Sequence, residues 1–126
     1  MTTILTRTLL YVLACLPLSL VAGTPVGTWQ TSFPDQNGNP VPMQVTMSDK
    51  GTYALDFGND GVVETTGKYS VEGDRMMIQD GTGTDCTGLG VYTFKVEGET
   101  LTMTRVTDEC TSRGGPEGVM TFTRVK

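Results

Sequence analysis

From Thr24 onward the chain alternates. Bulky apolar residues recur at every second position over short runs, with Thr, Ser, Gln, Lys and Asp between them. A period of two marks half-buried β-strands, and no stretch holds a 3.6-residue period long enough for a helix. Eight runs are predicted as strands: 26–32, 41–47, 52–57, 62–71, 75–79, 91–96, 100–106 and 119–125. One face of these runs collects Trp29, Met43, Val45, Met47, Tyr53, Leu55, Phe57, Tyr69, Val71, Met76, Ile78, Tyr92, Phe94, Val96, Leu101, Met103, Met120 and Phe122. An antiparallel sheet with one apolar face and no helix to cover it must close on itself or fold into a sandwich. Closure also removes the edge strands that invite aggregation. The predicted fold is an all-β, eight-stranded antiparallel up-and-down barrel over residues 24–126.

Connection lengths polarise this barrel. Gly-bearing turns at 48–51, 72–74 and 97–99 are tight and fall at one end. The connections 33–40, 80–90 and 107–118 are long and fall at the other, together with the short 58–61. One end is therefore expected to be sealed by turns and the other built from loops, and a loop-built barrel mouth is where a ligand is expected.

The first residues follow another pattern. Arg7 precedes an apolar run over 9–21 that ends in the small residues Val21-Ala22-Gly23. This reads as a signal peptide over residues 1–23, with cleavage after Ala22 or Gly23 fitting equally. The run is too short for a clean membrane-spanning helix of about 20 residues. Val12-Leu13-Ala14-Cys15 forms a weak lipoprotein box, so lipidation at Cys15 is the alternative that would tie the chain to a membrane. The expected address is the periplasm or the medium. In an exported chain the remaining pair, Cys86 and Cys110, reads as one disulfide. Both fall at the loop-built end, so the bond closes without threading the barrel.

Composition narrows the function. The 126 residues suit one domain, with 9 Lys and Arg against 14 Asp and Glu and a net charge of −5. Such a chain lacks the basic footprint that nucleic acid needs. There is no His, which removes His general bases, Ser–His and Cys–His pairs and His-ligated zinc. Asp35, Asp60, Asp80, Asp85, Asp108, Glu109 and Glu117 crowd the loop end and read as a solvated acidic rim. The Asp56–Gly61 spacing lacks the pattern of a calcium loop. No carboxylate is expected on an inward strand position, and no enzyme activity, cofactor or metal is expected.

Gly27-Thr28-Trp29 opens the first strand, and Arg124 lies near the end of the last. This pairing resembles the lipocalins and their calycin relatives, in which the Arg packs across the Trp at the closed end. The resemblance implies a barrel base of Gly27, Trp29 and Arg124. The second half looks like a short bacterial lipocalin-like domain, on Asp85-Cys86, Gly90-Val91-Tyr92, Gly98, Leu101-Thr102-Met103, Asp108-Glu109-Cys110 and Arg113. Val96-Glu97-Gly98-Glu99 stands where the family usually has Thr-Asp-Tyr.

Two interiors are compatible with the inward residues. Met43, Met47, Met76, Met103 and Met120 either fill the barrel outright or form adaptable walls around a small ligand. The second implies a carrier of a small, mainly apolar molecule, with Tyr53, Phe57, Tyr92, Met103 and Arg113 as candidate ligand residues. The first implies a solid interaction module, such as an inhibitor of an extracytoplasmic enzyme, with Phe33 as its apolar loop tip. Arg113 has two readings: an ion pair with Asp108 and Glu109 that orients its loop, or a holder of a ligand carboxylate.

Overall fold

The computed structural model describes residues 23–82, 86–110 and 113–126. Most of the signal segment, including Cys15, and also Asp85 lie outside the described residues. Among these the chain forms eight strands and no helix: β1 (Gly27–Pro34), β2 (Pro40–Met47), β3 (Thr52–Phe57), β4 (Thr65–Glu72), β5 (Arg75–Thr82), β6 (Gly90–Glu97), β7 (Thr100–Asp108) and β8 (Val119–Arg124). Each pairs antiparallel with the next, and β8 returns to β1, closing the barrel in up-and-down order. Cys86 and Cys110 are disulfide-bonded, joining the β5–β6 loop to the end of β7.

Alternation places the core. Trp29, Met76, Tyr92 and Leu101 are fully buried, and Met43, Val45, Met47, Tyr53, Ile78, Phe94, Met103, Met120 and Phe122 surround them. The closing seam is short, with Trp29 opposite Arg124 and Gln30 opposite Thr123. There the Arg124 guanidinium lies 4.2 Å from the Trp29 ring centroid. The indole N–H donates to the Pro25 carbonyl at 2.8 Å, and Arg124 donates to the Val26 carbonyl at 3.2 Å. Gly27 makes room for this plug. Its φ is +134°, and a Cβ there would stand 2.6 Å from Arg124 Nη1. Arg124→Met removes a cation–π contact of about 1 kcal/mol. In a domain of this size the melting temperature should then fall by roughly 4–8 °C; an unchanged melting temperature would show that the base is held by apolar packing alone.

Several boundaries differ from the pattern-based expectation. β1 runs on to Pro34, and Phe33 turns partly inward against the core rather than forming a loop tip. Among the described residues of the long loops, the exposed large apolar side chain is instead Leu89. β4 starts at Thr65, leaving Val62 and Val63 exposed. The β3–β4 connection satisfies its backbone locally instead. Asp56 accepts from the Asp60 and Gly61 amides, and Glu64 accepts from the Phe57 amide at 2.8 Å. Side-chain carboxylates that bind nearby N–H groups compete with strand pairing in this way. Val71, expected inside, is exposed near the sealed end.

Candidate functional site

The barrel is not filled. A cavity of about 550 Å³ lies inside it, walled by all five interior methionines together with Val45, Leu55, Ile78 and Phe122. It reaches solvent at the loop end, where its lining residues Pro34, Phe57 and Pro116 are exposed. The room comes partly from β4, whose inward residue at the cavity is Thr65 rather than a large apolar one. The volume falls within the 300–1,000 Å³ or so of ordinary small-molecule sites.

One wall of this cavity is charged, and the strand registers build it. Tyr53 on β3 pairs with Gly67 on β4, and Gly67 pairs with Asp80 on β5. Gly67 lets the Tyr53 ring lie across it: a Cβ there would stand 2.5 Å from the ring and hydroxyl. The hydroxyl thereby reaches Asp80 and donates to its Oδ1. Asp80 is only 7% exposed. The rim assigned to it by sequence is therefore corrected: β5 continues past Gln79, and the Met76, Ile78, Asp80 alternation carries the carboxylate inside.

Asp108 is corrected likewise. On β7, Leu101, Met103 and Arg105 point inward, and strict alternation would send position 108 outward. A register shift opposite Val91 and Tyr92 adds one residue to β7 and turns Asp108 in. Its side chain is 0% exposed. It accepts from the Tyr92 hydroxyl and from the Cys110 amide at 2.8 Å.

Arg113 joins the two acids. Its Nε and Nη2 grip Asp108 at 2.9 and 2.8 Å in a two-pronged pair. Nη2 also donates to the Gly88 carbonyl, and Nη1 lies 3.4 Å from the Cys86 carbonyl and 3.5 Å from Asp80 Oδ2. Arg105 adds a second clamp, donating through Nη2 to the carbonyls of Arg113 and Gly115. The segment from Arg113 to Pro116 is thus strapped over the mouth and lines the cavity from above.

The electrostatics follow from burial. Burial pushes the Asp80 carboxyl above its ordinary value, and Arg113 only partly offsets this. For Asp108 burial acts the same way, but hydrogen bonds from Arg113, Tyr92 and Cys110 outweigh it and hold the carboxyl low. Burial and the Asp108 hydrogen bond push Tyr92 up to about 12, so it is a neutral donor.

Of the candidate ligand residues, Tyr53, Phe57, Met103 and Arg113 line the cavity. Tyr92 does not; it is fully buried beside it and orients Asp108. Asp56, Asp60 and Glu64 bring carboxylate oxygens within 4.8 Å of one another, and all three cap their own loop, Asp60 by accepting from the Val62 amide at 2.9 Å and the others as described above. Compared with protein-family models, with curated proteins and with solved structures, the chain matches none.

Proposed function

We propose that this barrel is an exported, lipocalin-like carrier that holds a small, mainly apolar molecule in its interior. The observation that carries the reading is the mouth-connected cavity of about 550 Å³. An eight-stranded barrel has room either to be packed solid or to hold one such ligand, and this one is open. The disulfide supports an oxidising compartment outside the cytoplasm. The solid interaction module is the weaker reading, because Phe33 packs against the core instead of projecting from a loop.

Native mass spectrometry of the protein purified from its own host tests the carrier. A small co-purifying mass that leaves on collisional activation is the expected result; a bare chain that also fails to bind any apolar fluorophore would overturn it. A filled barrel gives a second test. Leu55 lines the cavity, and Leu55→Trp places an indole in the void. It should cut fluorophore affinity at least about tenfold. Its effect on stability should stay below about 1.5 kcal/mol, because the added volume enters space rather than packed core. Unchanged affinity in the folded variant would remove the cavity as the binding place.

A further inference from the structure

The polar wall specifies which head group the cavity accepts. Among the described residues, the charged side chains lining it are Asp80 and Arg113. They cancel only if Asp108 is ignored. The five N–H groups of a guanidinium are its whole donor supply. Here Nε and Nη2 are given to Asp108 and Gly88, and Nη1 faces Cys86 O and Asp80. The positive charge is matched by the buried carboxylate behind it. Arg105 does not line the cavity; its described partners are the Arg113 and Gly115 carbonyls and Tyr92. A ligand carboxylate would find Nε and Nη2 already bonded, and Nη1 set between the Cys86 carbonyl and a second carboxylate, Asp80, that repels it.

Asp80 is in the opposite position. A carboxylate offers about four lone-pair sites. The described donors to it are the Tyr53 hydroxyl and Arg113 Nη1, and the latter stands 3.5 Å away, longer than the 2.7–2.9 Å or so of a strong charge-assisted bond. The unmet capacity of the wall is acceptor capacity on a 93%-buried, negatively charged group (7% exposed). A cation brought to it by the ligand supplies what the protein leaves out.

We infer that the ligand is a cationic amphiphile, an apolar body ending in a protonated amine seated on Asp80. The inference rests on the carrier reading and narrows it. It also decides between the two sequence readings of Arg113, making it the residue that closes the loop end and not a holder of a ligand carboxylate.

The test uses three molecules with one tail: decylamine, decanol and decanoate, each below its micelle concentration, displacing the neutral fluorophore N-phenyl-1-naphthylamine at pH 7.5. Decylamine should bind about tenfold more tightly than decanol, a gap of about 1.4 kcal/mol, and decanoate more weakly than decanol. Asp80→Asn should remove the preference for decylamine over decanol, and a cooperative urea-unfolding transition reports that the variant is folded. Failure of the fluorophore and all three molecules to bind sinks the carrier itself. Binding of decanol with decylamine no tighter, with decanoate tightest, or with the order intact in Asp80→Asn, overturns the amine head while the carrier stands. The order of the three in the unaltered protein decides the matter even if the variant does not fold.

Discussion

Arg113→Met should destabilise the barrel by about 3–5 kcal/mol, because it strands two buried carboxylates at once. Asp108 loses both prongs of its pair and keeps only the Tyr92 hydroxyl and the Cys110 amide. Asp80 keeps the Tyr53 hydroxyl and loses its cation. The strap also comes loose, since the ties from Arg113 to Cys86 and Gly88 go with the guanidinium. Urea unfolding at pH 7 measures the loss. Adding Asp108→Asn to the variant should restore part of it, because the amide removes a charge and can still accept from Tyr92 and Cys110. A loss below about 1 kcal/mol would mean that the pair contributes no more than an exposed surface ion pair.

The pH dependence of this variant has a definite sign. Asp108 is held below its ordinary value of 3.8 in the folded barrel, so its contribution is present above that value and disappears as pH falls through the lower, folded one. Asp80 is raised, so its contribution is fully present below 3.8 and is lost as pH rises through its raised value. In the natural protein the two oppose each other. Without Arg113 both acids bind protons more readily in the folded state than they do in the natural protein, because the cation that lowers both is gone. The variant should therefore gain stability relative to the natural protein on acidification from pH 7 to 4.5, narrowing the gap by about 1 kcal/mol or more. A gap that stays constant or widens would show that Asp80 and Asp108 are not the groups left uncompensated.

The barrel was legible because one physical rule, alternation over a shared interior, runs unbroken through its middle. Met43, Val45 and Met47, or Met76 and Ile78, need only their spacing to be assigned. The site was less legible because it sits where that rule is interrupted or extended. Asp108 faces inward through an added residue in β7, and nothing in the local residue types announces a bulge there. Asp80 does obey the alternation of β5. The sequence places it in a loop because a carboxylate ending an apolar run ordinarily marks the surface. Its partners come from β3 and from beyond β7, so the compensation that allows its burial is visible only in three dimensions. The void has the same origin. Thr65, inside the expected strand 62–71, brings a small side chain to an inward position, and the volume it leaves depends on which side chains face it across the barrel.

Replacing Cys86 and Cys110 together by Ala should cost about 3–4 kcal/mol on the chain-entropy estimate for a sequence separation of 24. In a domain of this size that is a fall of roughly 15–25 °C in melting temperature. The entropy estimate treats the bond as acting on the unfolded chain alone. The geometry adds a folded-state role, because Arg113 donates to the carbonyl of Cys86 itself and to that of Gly88. The covalent tie and the ionic tie hold the same two loops together. If the bond positions the β5–β6 loop for Arg113, then Arg113→Met should cost at least about 1 kcal/mol less without the disulfide than with it, since neighbouring interactions that share a loop are not additive. Denaturant unfolding of the four members of this cycle measures that coupling. Losses that add within about 0.5 kcal/mol would confine the disulfide to the unfolded state and leave the charged wall to hold the strap alone.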